Sequence, residues 1–440
     1  MTNSLPYAQD LSRALGSAGV EKGYDKRLSQ ADKVLANLRQ AHQRGEVPLF
    51  ALPGRRKDIE PAMAIVETLK KDTSDLVILG TGGSGLSGQA LAQLTGWGTP
   101  GYRPVEGAPH IHFFDNLDAV TMAQALGQMD LRTTRFLAIS KSGGTAETLM
   151  QVLTAMSALE AAGGGKYIKH HFAVLTESAG DGGVNPLRKL AQAYDFPTLD
   201  HDPEIGGRYA VLSNVGMVPA LLFGLDPQAL RAGAGTVLAS LLDGTSARDL
   251  APAAGAALSL TLAEEAGITA TIITAYADRL SKFTYWVRQL WAESLGKQGK
   301  GTLPVAGLGP VDQHSQVQLY LDGPRDKFFT ILTVADRASC PTVDETFARA
   351  AGMADFAGRT MDELVNAEAK ATTDTLAARG CPVRSLTLPR LDEQSLGALF
   401  MHFMLETVIA AGLMNVDPYN QPAVEEAKIL AKKYLSEGAR

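Results

Sequence analysis

Apolar positions near the start of the chain recur at helical spacing. Leu28, Ala31, Leu35, Leu38 and Ala41 share one face of a helix predicted over 25–44, and a second helix is predicted over 58–71, with Pro61 in its first turn where a missing N–H is tolerated. The period then changes. LVILG (76–80), HIHFF (110–114), FLAIS (136–140) and HFAVL (171–175) are short continuous apolar runs, separated by helical stretches around 86–95, 118–129, 145–161 and 186–194. Strands buried on both faces, alternating with crossover helices, predict a parallel, doubly wound α/β sheet whose ligands bind beyond the carboxyl ends of the strands. After an alanine-rich helical region (227–266) the alternation resumes, with strands over 268–276, 328–334 and 384–389 and helices near 280–295, 360–379 and 393–411. The two halves share an architecture without a strict sequence repeat. The expected division is a helical extension over 1–71, α/β domains over 72–215 and 216–412, and a C-terminal loop and helix over 413–440.

The chemistry-bearing residues gather where these elements meet. Gly80-Thr-Gly-Gly-Ser-Gly85 follows the first strand and opens a helix, satisfying G-x-G-x-x-G. A dinucleotide reading needs an acidic residue roughly twenty positions on, whereas Asp115 and Asp118 lie about thirty away, so a tight βα turn is as good an account of this loop alone. Ser140-Lys-Ser-Gly-Gly-Thr-Ala-Glu-Thr148 says more. At the end of a strand, it places hydroxyls, a lysine and two glycines at a helix start, where free N–H groups and the helix dipole favour a phosphate. The competing reading is an N-cap at Thr145, worth about 1 kcal/mol to the helix. No GxxxxGK[ST] and no G-x-S-x-G elbow occur, so neither a nucleotide triphosphatase nor a serine hydrolase is supported.

Glu204-Ile-Gly-Gly-Arg-Tyr209 holds Arg208 on a loop where the backbone can pass close to a ligand. In Arg288-Gln-Leu-Trp-Ala-Glu-Ser-Leu-Gly-Lys297, Gln289 and Glu293 are four apart and share a helix face, with Trp286, Leu290 and Leu295 as apolar neighbours. Desolvation there would raise a carboxyl pKa toward the range of a general base, unless a cation such as Arg208 offsets it. For a single glutamate, a solvated surface role is the ordinary alternative. His314 sits in a polar cluster, Val311-Asp-Gln-His-Ser-Gln316, as a candidate acid or base, whereas the other seven histidines lack such a setting.

Composition narrows the class. Lys plus Arg number 41 against 47 Asp plus Glu, a net charge of −6, which argues against nucleic acid or anionic lipid as the main partner. With 45% apolar and 20% charged residues in 440, the chain can bury large cores. Cys340 and Cys381 make no CxxC, no HExxH is present, and no catalytic metal is expected. The N-terminus lacks a basic region followed by an apolar core, and the longest apolar stretches, such as 215–225, are read as too short to span a bilayer. A cytoplasmic protein without a membrane partner is expected.

Taken together and in order, GTGGSG, SKSGGTAET, EIGGRY, QLWAESLGK, VDQHSQ and NVDPYNQPAVEEAK (415–428) closely resemble the phosphoglucose isomerases, in the short form found in many bacteria, over about residues 75–430. The resemblance implies two sugar isomerase (SIS) α/β domains, a homodimer with the active site at the subunit interface, and no cofactor. It implies interconversion of glucose 6-phosphate and fructose 6-phosphate through ring opening and an enediolate. By position, Glu293 is then the base, Arg208 stabilises the enediolate, and His314 and Lys428 assist ring opening, the histidine arriving from the neighbouring subunit. Gly83, Ser84, Ser140, Lys141, Ser142 and Thr145 hold the phosphate, and Gly207, Gln289 and Gln421 position the sugar. One departure is Ala210, where the family often has Ser or Thr, which removes a hydroxyl near Arg208. A dual phosphoglucose/phosphomannose isomerase or a non-catalytic SIS regulator are the alternative readings; the regulator would not need all four catalytic residues.

Overall fold

The computed structural model describes residues 5–178, 185–336 and 340–438. In chain order its strands and α-helices are β1 (Ala8–Asp10), α1 (Ser12–Ala18), α2 (Glu21–Gln43), α3 (Ile59–Lys70), β2 (Asp75–Leu79), α4 (Gly83–Ala92), β3 (His110–Phe114), α5 (Ala119–Gln128) and β4 (Thr134–Ile139). There follow α6 (Ala146–Ala161), β5 (Phe172–Thr176), α7 (Pro186–Tyr194), β6 (Thr198–Asp200), α8 (Asn214–Leu222), α9 (Pro227–Leu242), α10 (Ala251–Glu265), β7 (Ala270–Ala275) and α11 (Ser281–Leu295). The chain ends with β8 (Leu303–Leu308), α12 (Val311–Asp322), β9 (Lys327–Asp336), α13 (Glu345–Ala350), α14 (Met361–Ala378), β10 (Val383–Arg390), α15 (Glu393–Met414) and α16 (Glu425–Ser436).

Two five-stranded sheets organise these elements. The first runs β3-β2-β4-β5-β6, all parallel, and the second runs β1-β10-β9-β7-β8. In the first, β2 pairs on one side with β3 (Asp75 opposite His110) and on the other with β4 (Asp75 opposite Thr134). The chain therefore leaves β2 for one flank and returns to the other, which makes the crevice above β2 and β4 the switch point where doubly wound sheets take ligands. The parallel strands of the second sheet repeat the order, as β8-β7-β9-β10, and β1 closes its edge antiparallel to β10.

Three short strands went unforeseen in the sequence pattern, and each is a sheet edge. Residues 303–308, Leu-Pro-Val-Ala-Gly-Leu, carry a proline and a glycine, which a central strand disfavours but an edge strand such as β8 tolerates. β6 has three residues, too few for a periodic signal. β1 lies in the segment 1–71, expected to be helical; its Gln9 opposes Leu386, so this segment also completes the second sheet. The alanine-rich region resolves into two helices, α9 and α10.

Helix α15 corrects a second expectation. Its 22 residues are long and apolar enough to cross a bilayer, yet 89% of its most apolar 18-residue stretch is buried inside the protein, so it is a core helix, apolar on all sides because α9, α10 and α11 surround it. It carries a buried polar network. Arg384 on β10 donates two hydrogen bonds from Nη1 to Glu406, at 2.7 and 2.8 Å, and one from Nε to Thr330 at 3.1 Å. His402 lies 3.0 Å from Glu406 and 2.7 Å from the hydroxyl of Tyr7, tying the N-terminal segment to the core.

Candidate active site

Both glycine-rich loops leave the adjacent strands β2 and β4 at the switch point. After β4, Gly143 takes φ +63°, and a Cβ there would lie 1.7 Å from Asn185 Oδ1, so this turn requires glycine. The turn brings Ser140 Oγ to donate to Thr145 Oγ1 at 3.0 Å. Thr145 occupies the N-cap of α6 without capping it through its side chain, which leaves the first N–H groups of the helix without that partner. The exposed Ser142 hydroxyl accepts from the Gly144 amide at 3.3 Å. Lys141 Nζ lies 3.5 Å from Glu177 Oε1. After β3, Asp115 accepts a 2.7 Å hydrogen bond from Gln89, so the carboxylate weighed for a ribose is already engaged within the domain.

The first loop also touches the Arg208 loop. A Cβ on Gly83 would stand 2.2 Å from the Gly207 carbonyl, so α4 and the 3₁₀ turn over 207–212 meet backbone to backbone, as glycine alone permits. This contact carries Arg208 inward to 2% exposure. Its guanidinium is fully engaged: Nε donates to Ser294 Oγ (2.9 Å), Nη1 to Glu293 Oε2 (3.0 Å) and Gln421 Oε1 (2.8 Å), and Nη2 to the carbonyls of Pro418 (2.5 Å) and Asn420 (3.0 Å). Arg208 is thus the offsetting cation anticipated for Glu293. The second carboxylate oxygen of Glu293 accepts from Gln289 Nε2 at 2.8 Å, as the four-residue spacing predicts.

The C-terminal loop wraps over this cluster as a strap. Lys297 fastens it, donating to the Ser294 carbonyl at the end of α11 (3.0 Å) and to the Asp417 carbonyl on the strap. Burial and the charge of Arg208 hold Lys297 below the ordinary lysine range. Tyr209 packs against Tyr419 with the rings tilted by 56° and their centroids 5.3 Å apart, and burial pushes the Tyr209 hydroxyl up to about 12. Beside the strap a cleft of about 480 Å³ is lined by Glu293, Lys297, Asp417, Asn420 and Gln421 among others.

Of the residues singled out from sequence, Gly83, Gly207, Arg208, Gln289, Glu293 and Gln421 converge here, while Ser140, Ser142 and Thr145 form the neighbouring loop. His314 and Lys428 stand apart. His314 is exposed on α12 with no hydrogen bond to Arg208 or Glu293, and Lys428, 63% exposed on α16, pairs with Glu425 at 2.7 Å. Ser294 and Lys297 were not singled out. Their signal lay in the same string as Glu293, where the helical period puts Ser294 on the buried side and Lys297 just past the helix end.

A sequence profile described as phosphoglucose isomerase matches residues 65–439. The chain belongs to the phosphoglucose isomerase family. Accordingly it is an aldose–ketose isomerase that interconverts glucose 6-phosphate and fructose 6-phosphate. It is similar to a glucose-6-phosphate isomerase of Rubrobacter xylanophilus, 34% identical over 378 residues (86% of each chain), and to a probable glucose-6-phosphate isomerase of Halobacterium salinarum, 38% identical over 324 residues (74% of this chain, 73% of that one). Among solved structures, a hypothetical protein from Thermus thermophilus superposes with TM-score 0.81 at 30% identity, covering 98% of this chain and 99% of that one. A glucose-6-phosphate isomerase from Chlamydia trachomatis superposes with TM-score 0.75 at 20% identity, covering 94% and 86%, and shares the fold.

Proposed function

We propose that this isomerase uses Glu293 as the single base that moves a proton between C1 and C2, and Arg208 as the cation that stabilises the enediolate. The observation that carries the reading is the Arg208 guanidinium bound to Glu293 in a buried position beside the two switch-point loops. The loop from Ser140 to Thr145 takes the C6 phosphate, with Ser84 and Lys141 in support. Binding energy from that remote group orients C1 and C2 over Glu293. One carboxylate removes and returns the proton on the same face, and Arg208, already desolvated, meets the developing charge with the Nη1 hydrogen that Glu293 gives up as it takes the proton. Gly207, Gln289 and Gln421 position the sugar.

His314 and Lys428 open the ring, the histidine from a second copy of the chain. This assembly is supported by their exposure in the single chain and by α16, which leaves Ile429, Leu430, Tyr434 and Leu435 exposed, an apolar face that one copy does not cover. The two-domain division at residues 72–215 and 216–412, a cytoplasmic location, and independence from cofactor, nucleic acid and membrane complete the reading. A coupled assay with fructose 6-phosphate, EDTA present and no nucleotide added, tests it: turnover is expected, and sugar-phosphate binding without turnover would favour a regulator. Mixing Glu293→Gln and His314→Ala homodimers tests sharing, because hybrids restore one intact site only if the histidine crosses between subunits.

A further inference from the structure

One anchor of Arg208 sits on a helix rather than on a loop or on a group that titrates. Its Nη1 is held by Glu293, which loses its charge when it takes the substrate proton, and by Gln421; its Nη2 is held by two carbonyls of the strap, which belongs to a loop. The remaining donor, Nε, is held by Ser294 Oγ at 2.9 Å. Ser294 is fully buried on α11, adjacent in sequence to Glu293, and its hydroxyl also meets the Tyr209 hydroxyl at 3.0 Å. Ala210, equally buried, offers Arg208 no hydroxyl. Ser294 is therefore the hydroxyl that accepts from Arg208 Nε.

A guanidinium is a rigid planar fork, so fixing Nε fixes where both Nη groups point. The need for that fixing is greatest when Glu293 has become neutral and its pull on Nη1 weakens, which is also when negative charge builds on the enediolate. We propose that Ser294 is a positioning residue for the isomerisation: through Nε and Tyr209 it locks the plane of Arg208 to the helix that carries Glu293, so that Nη1 is aimed at the enediolate throughout the proton transfer. This rests on the roles given above to Arg208 and Glu293, and it extends them to a residue that touches no substrate.

The test separates positioning from simple structure. In Ser294→Ala, kcat is expected to fall about tenfold to a hundredfold, the range for losing a hydrogen bond to a charged group, while KM for fructose 6-phosphate stays within about twofold because the phosphate contacts are elsewhere. Calorimetry with two probes sharpens this. A planar hydroxamate analogue of the enediolate should lose affinity by the same factor as kcat, and an open-chain sugar alcohol phosphate should bind as before. In an Arg208→Lys background, where no Nε–H fork exists, Ser294→Ala should change hydroxamate affinity by less than about twofold. Equal loss for both probes, an unchanged kcat, or the full loss persisting beside Arg208→Lys would overturn the proposal. If the alanine variant fails to fold, Ser294→Cys keeps the volume, weakens the acceptor and supports the same comparison. Failure of the parent reading looks different: the wild-type protein would not isomerise, or Glu293→Gln would turn over normally.

Discussion

Replacing Glu293 by glutamine isolates proton transfer from binding and folding. The side chain keeps its length, and the surroundings accommodate an amide. Its oxygen still accepts from Arg208 Nη1, now at 3.0 Å from Oε2. The new NH₂ would face the Gln289 NH₂ that now donates to Oε1, but Gln289 Oε1 is buried and unpartnered, so an amide flip turns a donor–donor clash into a hydrogen bond. The ion pair that is lost has a buried cation, Arg208 at 2% exposure, so some stability goes with the charge, but the guanidinium keeps all its acceptors, including the new amide oxygen. An amide cannot accept the C2 proton. General acid–base catalysis is typically worth about 10²- to 10⁴-fold, so kcat should fall by at least that, roughly 3 to 5 kcal/mol of barrier. Fructose 6-phosphate affinity and ring opening should survive. The assay follows exchange of the C2 proton of glucose 6-phosphate with deuterated solvent by NMR, alongside a thermal melt that checks folding. Exchange at the wild-type rate in a folded Glu293→Gln protein would refute the assignment and move the search to another carboxylate.

Removing the hydroxyls of Ser140, Ser142 and Thr145 together by alanine should weaken sugar-phosphate binding by about tenfold or more, with a melt close to wild type; equal affinity by titration calorimetry would sink the phosphate assignment. Glu406→Ala leaves Arg384, 1% exposed, as an uncompensated buried charge, and should cost about 3–5 kcal/mol in urea unfolding; a loss under about 1 kcal/mol would mean that the network is not what holds β10 to α15. Burial above all holds the pKa values of His171, His201 and His402 below 6.5. Between each folded value and 6.5 the unfolded chain binds more protons, so stability rises with pH and is lost as pH falls below about 6.5, by up to about 1.4 kcal/mol per pH unit for each histidine. A melting temperature that stays flat from pH 7.5 to 5.5 would contradict this.

What the sequence made legible was whatever a local period or a short string encodes. The four central apolar runs of the first half lie on β2 to β5, and the Gln289–Glu293 spacing became a 2.8 Å hydrogen bond, because four residues is one helical turn. Edge strands escaped. β8 contains Pro304 and Gly307, and β1 is three residues long, so neither shows the continuous apolar run that marks a strand buried on both faces. Helix α15 misled in the opposite sense: His402 and Glu406 make 393–414 look less continuously apolar than it is, since both are neutralised by partners distant in sequence, Tyr7 and Arg384. The helical period placed Ser294 on the buried side of α11 but could not show its hydrogen bond to Arg208, a residue 86 positions away.

The convergence on Arg208 explains why so few residues of the site could be ranked from sequence even when each string was seen. Its partners come from the end of α11 in the second half of the chain and from the strap at the C-terminus, 213 positions away at Gln421, while its own loop meets Gly83 of the first half, backbone to backbone. A guanidinium buried to 2% exposure with every partner supplied from elsewhere is a charge the fold must satisfy, so the contacts that seat the strap also aim the cation. Preorganisation is thereby coupled to folding: the strap cannot detach without freeing Arg208 from three of its acceptors, and Arg208 cannot swing toward a different anion without breaking the strap. A substrate that presents its developing charge where Nη1 already points meets a donor held in place in advance, which is the condition under which a buried arginine lowers a barrier rather than merely binding an anion.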